Sequence, residues 1–138
     1  MFEMPKPIRV FVVDDEDVIA SSLGMILRFQ GGFNARSFTN PLDALKAARL
    51  DAPDLLISDV VMPELSGIDL AIQLRECCPD CKVLLFSGRA ATAQLLESAR
   101  GRGYTFEILM KPVHPADLLA KIQDVTDGAW QLSVQEPF

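Results

Sequence analysis

Short apolar runs and stretches of helical spacing alternate along the chain. Ile8–Val13 is a run of the first kind, as expected of a strand buried on both faces. Asp17–Gln30 is of the second kind: Ile19, Leu23, Ile26 and Gln30 recur at helical spacing, and Gly31-Gly32 stops the segment. A weaker strand follows over about Asn34–Phe38. Thr39 or Asn40, ahead of Pro41, then opens a helix through about Arg49, a polar cap preceding a first-turn proline. The second half repeats the rhythm, with strands at Asp54–Asp59, Lys82–Ser87 and Thr105–Met110. Between and after them the spacing predicts helices at Gly67–Cys77, Ala91–Arg100 and His114–Val125. In the last of these Leu118, Ile122 and Val125 share one face, and Pro115 lies near the first turn.

Five strands alternating with five helices predict an α/β fold. Such a pattern builds a doubly wound parallel sheet, covered on both faces and joined by right-handed crossovers. We expect one domain over residues 1–138, with a core of about 7–126. A polar tail of about 127–138 carries Trp130 and Phe138. No linker, internal repeat or low-complexity segment stands out.

Composition then narrows the function classes. Hydrophobic residues make up 49% and charged residues 23%, an ordinary globular balance. The 13 Lys+Arg against 19 Asp+Glu give a net charge of −6. That balance argues against direct binding to nucleic acid, which selects a basic footprint, and against docking on an anionic membrane. Apolar runs such as Val83–Phe86 are too short to span a bilayer, and Met1–Lys6 lacks the apolar core of a signal peptide. A cytoplasmic location is the expectation.

In a doubly wound sheet, ligands bind at the carboxyl ends of the strands. Asp14 and Asp15 follow the first strand, Asp59 ends the third, Ser87 the fourth, and Lys111 follows the fifth. The second leads only into Thr39 and Asn40. Two unit charges 4 Å apart repel by roughly 4 kcal/mol at an effective dielectric near 20. Gathered carboxylates therefore call for a raised pKa or a bound cation. An open, all-oxygen ligand set suits Mg²⁺, which keeps several waters and coordinates phosphate oxygens. Lys111 suits a phosphoryl oxygen or a carboxylate, and Ser87 donates one hydrogen bond to an oxyanion. The set fits phosphoryl chemistry on a carboxylate nucleophile better than proton transfer. Each residue alone has a structural explanation: Asp14 or Asp15 as a cap of the first helix, Asp59 as a turn residue before Pro63. Likewise Ser87 could cap the fourth helix, and Lys111 could be a solvated charge. Coincidence of all five at strand ends is much harder to explain that way.

The stretches VFVVDDED, LLISDVVMPELSG, VLLFSG and LMKP, in this order and spacing, resemble the receiver domain of bacterial two-component response regulators. The resemblance covers roughly residues 7–126 and implies a flavodoxin-like (βα)5 fold of strand order 2-1-3-4-5. It implies Asp59 as phosphoacceptor, with Asp14, Asp15, Asp59 and the backbone carbonyl of Val61 holding Mg²⁺. Ser87 matches the switch hydroxyl, Lys111 the family lysine, and Pro112 a proline that follows a cis peptide. Pro63 and Gly67 fit the loop after the acceptor strand. The implied donor is a histidine kinase or histidine phosphotransfer protein. The implied output is altered binding of a downstream protein through the fourth helix, fifth strand and fifth helix, a face that also offers a homodimer contact. The catalysis would be confined to the domain's own phosphorylation and dephosphorylation, in a stand-alone receiver without an attached output domain.

The chain departs from the family pattern at Ile108 and in the loop from Gly103 to Lys111. Ile108 stands three residues before the lysine, where an aromatic residue is usual, and Tyr104 and Phe106 are out of that register. The loop from Gly103 to Lys111 is one residue longer than the common pattern. Val61 and Arg89 occupy the positions on which hydrolysis depends, and Val61 cannot hydrogen-bond a water, so a long-lived phosphoryl state is expected.

Two rival classes share features with this set. A magnesium-dependent aspartyl-nucleophile phosphatase of the haloacid dehalogenase type would use Asp15-Glu16-Asp17 as its D-x-D, although the chain is short for that fold. A phosphorylation-independent binding module is the other rival, kept open by Ile108. Cys77, Cys78 and Cys81 are bunched; the C-x-x-C of Cys78 and Cys81 lacks a second ligand pair and reads as incidental. His114 reads as a helix-start residue and Trp130 as tail packing. Lys82–Lys111 carries five basic residues against Glu97 and Glu107, of which Arg100 and Arg102 suggest a partner surface.

Overall fold

Val10–Val13, Leu55–Ile57 and Val83–Phe86 are enclosed at every position, so these runs must pair on both edges and be covered on both faces. The computed structural model describes residues 7–88 and 92–126 and shows that arrangement. Its strands are β1 (Arg9–Val13), β2 (Asn34–Phe38), β3 (Leu55–Asp59), β4 (Lys82–Ser87) and β5 (Glu107–Met110). Its helices are α1 (Asp17–Phe29), α2 (Pro41–Leu50), α3 (Gly67–Cys77), α4 (Thr92–Gly101) and α5 (Pro115–Thr126). The strands form one parallel sheet in the order β2-β1-β3-β4-β5. The expected fold class is therefore observed, strand order included.

Alternate side chains of each strand feed two separate cores. Phe11, Val13, Leu56, Val83 and Leu85 pack with Ala44, Leu45, Leu70 and Leu74 of α2 and α3. Val10, Val12, Leu55, Ile57, Leu84 and Phe86 pack with Leu23, Leu27, Leu118 and Ile122 of α1 and α5. Parallel registers bring Asp59 level with Phe86, and Ser87 level with Met110, so the strand ends reach a common edge.

Local chemistry sets the helix ends. Asn40 Oδ1 accepts from Leu42 N–H at 2.9 Å, and Ser66 Oγ accepts from Asp69 N–H at 3.0 Å. His114 Nδ1 accepts from Ala116 N–H at 3.1 Å, which makes it the helix-start residue expected of it. Gly32, at φ +72°, turns the chain after α1.

The differences from the sequence reading are at the margins. β1 starts at Arg9 and β3 at Leu55 because Asp54 turns its carboxylate onto Arg9 N–H at 2.8 Å. β5 starts at Glu107, whereas Phe106 stacks on Tyr104 with centroids 6.2 Å apart. The buried face of α1 is Ala20, Leu23, Gly24 and Leu27; Gln30 is its exposed C-cap. Ala91, the expected start of the fourth helix, lies outside the described residues. So do Arg89, Trp130 and Phe138. Among the described residues no helix is long and apolar enough to cross a membrane.

Leu56 is fully enclosed in the central strand β3, whereas Leu50 is 89% exposed. Leu56→Ala should cost about 2–5 kcal/mol in urea unfolding, and Leu50→Ala should stay within about 0.5 kcal/mol of the parent.

Candidate functional site

Asp14 leaves β1 buried and with both oxygens engaged. Its Oδ1 accepts from Glu16 N–H at 2.9 Å, and its Oδ2 lies 3.2 Å from Lys111 Nζ. Asp59 ends β3, and its Oδ2 lies 3.2 Å from the same ammonium. Asp15 is exposed at the rim. One carboxylate oxygen each from Asp14, Asp15 and Asp59 falls within 4.8 Å of the others. Thus the three aspartates of the sequence reading converge, and Lys111 bridges two of them.

The fifth strand delivers Lys111 to this place. Its N–H donates to Ser87 C=O at 3.0 Å, and its Nζ stands 5.1 Å from the centre of the Phe86 ring. The Lys111–Pro112 peptide is cis, as the resemblance implied. Ser87 itself is buried at the end of β4, one residue past the partner of Asp59. Val61, two residues past Asp59, is half-buried and packs against the α2–α3 core.

Burial raises the Asp14 carboxyl above its ordinary pKa, with the Asp59 charge adding to it, against the pull of Glu16 N–H and Lys111. Burial also lowers the Lys111 ammonium, but bonding to Asp14 and the charge of Asp59 outweigh it and hold the pKa above its usual value. Among the described residues one ammonium meets three carboxylates, which leaves the cluster short of positive charge. A hard divalent cation suits this donor set, which is all oxygen and open to water at Asp15.

Neither Asp14 nor Asp15 is the N-cap of α1, and Lys111 is not a solvated charge. The N-cap of α1 is Glu16, without a side-chain cap bond. Asp14 bonds that residue's N–H while also meeting Lys111. Ser87 lies within a strand, and the Lys111 ammonium is paired twice. Asp17, the third residue of the D-x-D alternative, belongs to the first turn of α1 and stands outside the carboxylate cluster.

Two participants escaped the sequence reading. Phe86 presents its ring to Lys111, but in sequence it was one more apolar residue of a strand. Gly67 was read as the start of a helix and as fitting the loop after the acceptor strand, with no contact to Asp59 foreseen. Its N–H closes the 60–67 turn onto Val60 C=O at 2.7 Å, and a Cβ there would collide with the Asp59 carbonyl oxygen. The helix α3 is thereby seated directly against the end of β3.

The remaining signals stay apart from the site. The thiols of Cys78 and Cys81 are buried, which pushes their pKa values up to about 11 and about 12. Such thiols are poor nucleophiles near neutral pH, in keeping with an incidental C-x-x-C. Ile108 is half-buried and level with Leu85, and the Tyr104–Phe106 stack lies outside β5, under Arg75. No aromatic residue therefore occupies the register of the usual switch position. Arg100 pairs with Glu97 on its own helix, and Arg102 with Asp69 of α3.

Comparison with known proteins defines the class. A family model described as response regulator receiver domain matches residues 10–123, and the chain belongs to that family. Among curated relatives, response regulator receiver protein CpdR of Brucella abortus is 31% identical over 121 residues, 88% of this chain and 98% of CpdR. The probable transcriptional regulatory protein TcrX of Mycobacterium tuberculosis is 38% identical over 86 residues, 62% of this chain. The match spans only 36% of TcrX, and 27% of the Salmonella typhimurium regulator PgtA. Among solved structures, a receiver domain protein from Clostridium thermocellum superposes with a TM-score of 0.77 at 25% identity, over 91% of this chain and 98% of that one. The protein is thus a receiver domain of two-component signalling, of the kind that accepts a phosphoryl group. Receivers of this family use Mg²⁺ at an acidic pocket, and the cluster here has the oxygen donors for it.

Two variants test this geometry. Folding raises the Asp14 pKa, so the carboxyl favours the folded chain while protonated, below its ordinary 3.8; that benefit is gone once pH rises through the raised value. Asp14→Asn should therefore raise the melting temperature of the metal-free protein at neutral pH, while weakening Mg²⁺ binding at least tenfold by titration. Gly67→Ala should displace Asp59 and slow its phosphorylation by a small phosphodonor about tenfold or more, by roughly 1.4 kcal/mol or more of barrier.

Proposed function

We propose that Asp59 accepts the phosphoryl group and that Asp14, Asp15, Asp59 and the Val61 carbonyl hold Mg²⁺. The observation that carries this reading is the single ammonium of Lys111, 3.2 Å from both Asp14 and Asp59, within a cluster of three carboxylates. Asp59 is the carboxylate of the three that sits at the end of the central strand, with its backbone clamped. Ser58 Oγ donates to its C=O at 2.9 Å, and Gly67 leaves no room for it to shift.

The chemistry is an in-line transfer. A carboxylate oxygen of Asp59 attacks phosphorus of a phosphohistidine on a kinase or phosphotransfer protein. The P–N bond breaks, and the imidazole leaves with the bonding pair. Lys111 holds Asp59 in place and then stabilises the negative oxygens of the transferred group. Ser87 donates a hydrogen bond to one of them. When bound, Mg²⁺ neutralises charge that develops on the phosphoryl oxygens. Water later hydrolyses the acyl phosphate, and Val61 contributes no hydrogen bond to that water.

The phosphoryl group adds charge and oxygens beside Lys111. Lys111 is joined through its N–H to Ser87 and begins the turn into α5. A shift there alters the face of α4, β5 and α5, where Met110 is 61% exposed. A downstream protein or a second copy of the chain would read that face. Ile108 makes this route independent of an aromatic rotamer.

Incubation with acetyl phosphate and Mg²⁺ should add one phosphoryl mass to the intact protein. The adduct should be absent with EDTA and in Asp59→Asn. An adduct that persists undiminished in Asp59→Asn would overturn the assignment.

A further inference from the structure

Helix α3 ends on two adjacent cysteines whose side chains meet. The Sγ atoms of Cys77 and Cys78 lie 3.4 Å apart. Within a continuous helix, neighbouring residues project about 100° apart and do not face each other. Here the helix stops. Cys77 is its last residue, and Cys78 is the C-cap at φ −136° and ψ 76°, ahead of Pro79. The Cys78 N–H still donates to Leu74 C=O at 2.7 Å, which holds the pair to the helix end. Cys77 is exposed, whereas Cys78 is buried with its thiol against Ala48 C=O of α2. All three cysteines of the chain are free.

Spacing decides what such a pair can do. A direct disulfide needs sulfurs about 2.05 Å apart and Cα atoms about 4.4–6.8 Å apart, against about 3.8 Å for neighbours across a trans peptide. Joining the two sulfurs directly would therefore strain the chain. A third atom between them asks for little movement, since two bonds of about 2.3 Å at a tetrahedral angle set sulfurs about 3.8 Å apart. The narrower angle at a pyramidal centre brings them closer still. Zinc takes four ligands in such sites, and among the described residues no others join the pair. The Cys81 thiol donates to Lys82 C=O at 3.3 Å, and His114 accepts from Ala116 N–H at the start of α5. A pyramidal centre that takes two sulfurs and carries its own third substituent fits better, and trivalent arsenic is such a centre.

We propose that Cys77 and Cys78 form a dithiol site for a trivalent arsenical. It lies at the far end of α3 from Gly67, about 15 Å of helix away from the strand-end pocket. Exposed Cys77 forms the first arsenic–sulfur bond, and Cys78 closes the ring from the same chain. Two S–H bonds and one arsenic–oxygen bond break, and two arsenic–sulfur bonds form. Both protons leave with the oxygen as water, and nothing is oxidised or reduced. Burial pushes the Cys78 thiol up to about 11, so it enters as the neutral thiol, and proximity rather than a thiolate drives the closing step. The inference does not depend on which aspartate is phosphorylated.

Phenylarsine oxide is the probe. By intact mass the reduced protein should gain one phenylarsenic group with loss of one water, keep it in millimolar glutathione, and release it to 2,3-dimercaptopropanol. Cys77→Ser and Cys78→Ser should each weaken uptake about a hundredfold or more, because one sulfur bond replaces two. Cys81→Ser should take up the probe as the parent does. Cys77 is exposed, so Cys77→Ser decides the matter by itself once far-UV circular dichroism shows it folded. No adduct on the parent overturns the proposal, as does undiminished uptake by Cys77→Ser. Loss of uptake in Cys81→Ser assigns the reagent to the C-x-x-C instead and overturns it as well. The measurement uses no phosphodonor, which keeps its outcome separate from that of the phosphorylation assay.

Discussion

Three carboxylates held at one sheet edge are a standing electrostatic cost, and the ion pairs of Lys111 with Asp14 and Asp59 make that arrangement tolerable. At an effective dielectric near 20, each neighbouring pair of like charges costs several kcal/mol. One ammonium between two of them offsets much of this without closing the pocket, because Asp15 remains open to water. The rest of the structure serves this contact. β1, β3 and β5 come from distant parts of the chain, and the parallel sheet, in the order β2-β1-β3-β4-β5, brings their carboxyl ends to one edge.

The residual imbalance is also what makes the pocket useful. A site fully neutralised by its own lysine would have no call for a divalent cation and no attraction for phosphoryl oxygens beside it. Burial raises the Asp14 pKa, while the carboxylates raise that of Lys111, so the same groups that crowd the pocket suit it to a hard cation. The clamp on Asp59 follows a similar logic. A helix seated through Gly67 and a hydroxyl from Ser58 fix the backbone of the residue whose side chain must react. Farther from the site, Ile108 stands where an aromatic residue is usual in the family, half-buried and level with Leu85.

Much of the fold was legible because the three inner strands are buried on two faces and the helices pack by one. Continuous apolar runs and helical spacing then separate cleanly, and the caps Asn40, Ser66 and His114 act through neighbours two or three residues away. The limits of β5 were less legible. Phe106 has the composition of a strand residue, but it stacks on Tyr104 and lies under Arg75, partners that are not adjacent in its pairing register. The inner face of α1 was misplaced at its end for a related reason: Gln30 keeps the helical spacing, yet the C-cap turns it to solvent.

The sequence alone determined the α/β alternation, the aspartates, serine and lysine at strand ends, and the family resemblance they carry. These are local patterns, or motifs whose order along the chain is itself the signal. Only the tertiary structure decided that a single Lys111 ammonium touches both Asp14 and Asp59, residues 97 and 52 positions away. It alone placed the Phe86 ring beneath that lysine and the bare Cα of Gly67 against the Asp59 carbonyl. Such contacts depend on how strands from separate segments stack within a few ångströms of one another, and no spacing along one strand encodes that distance.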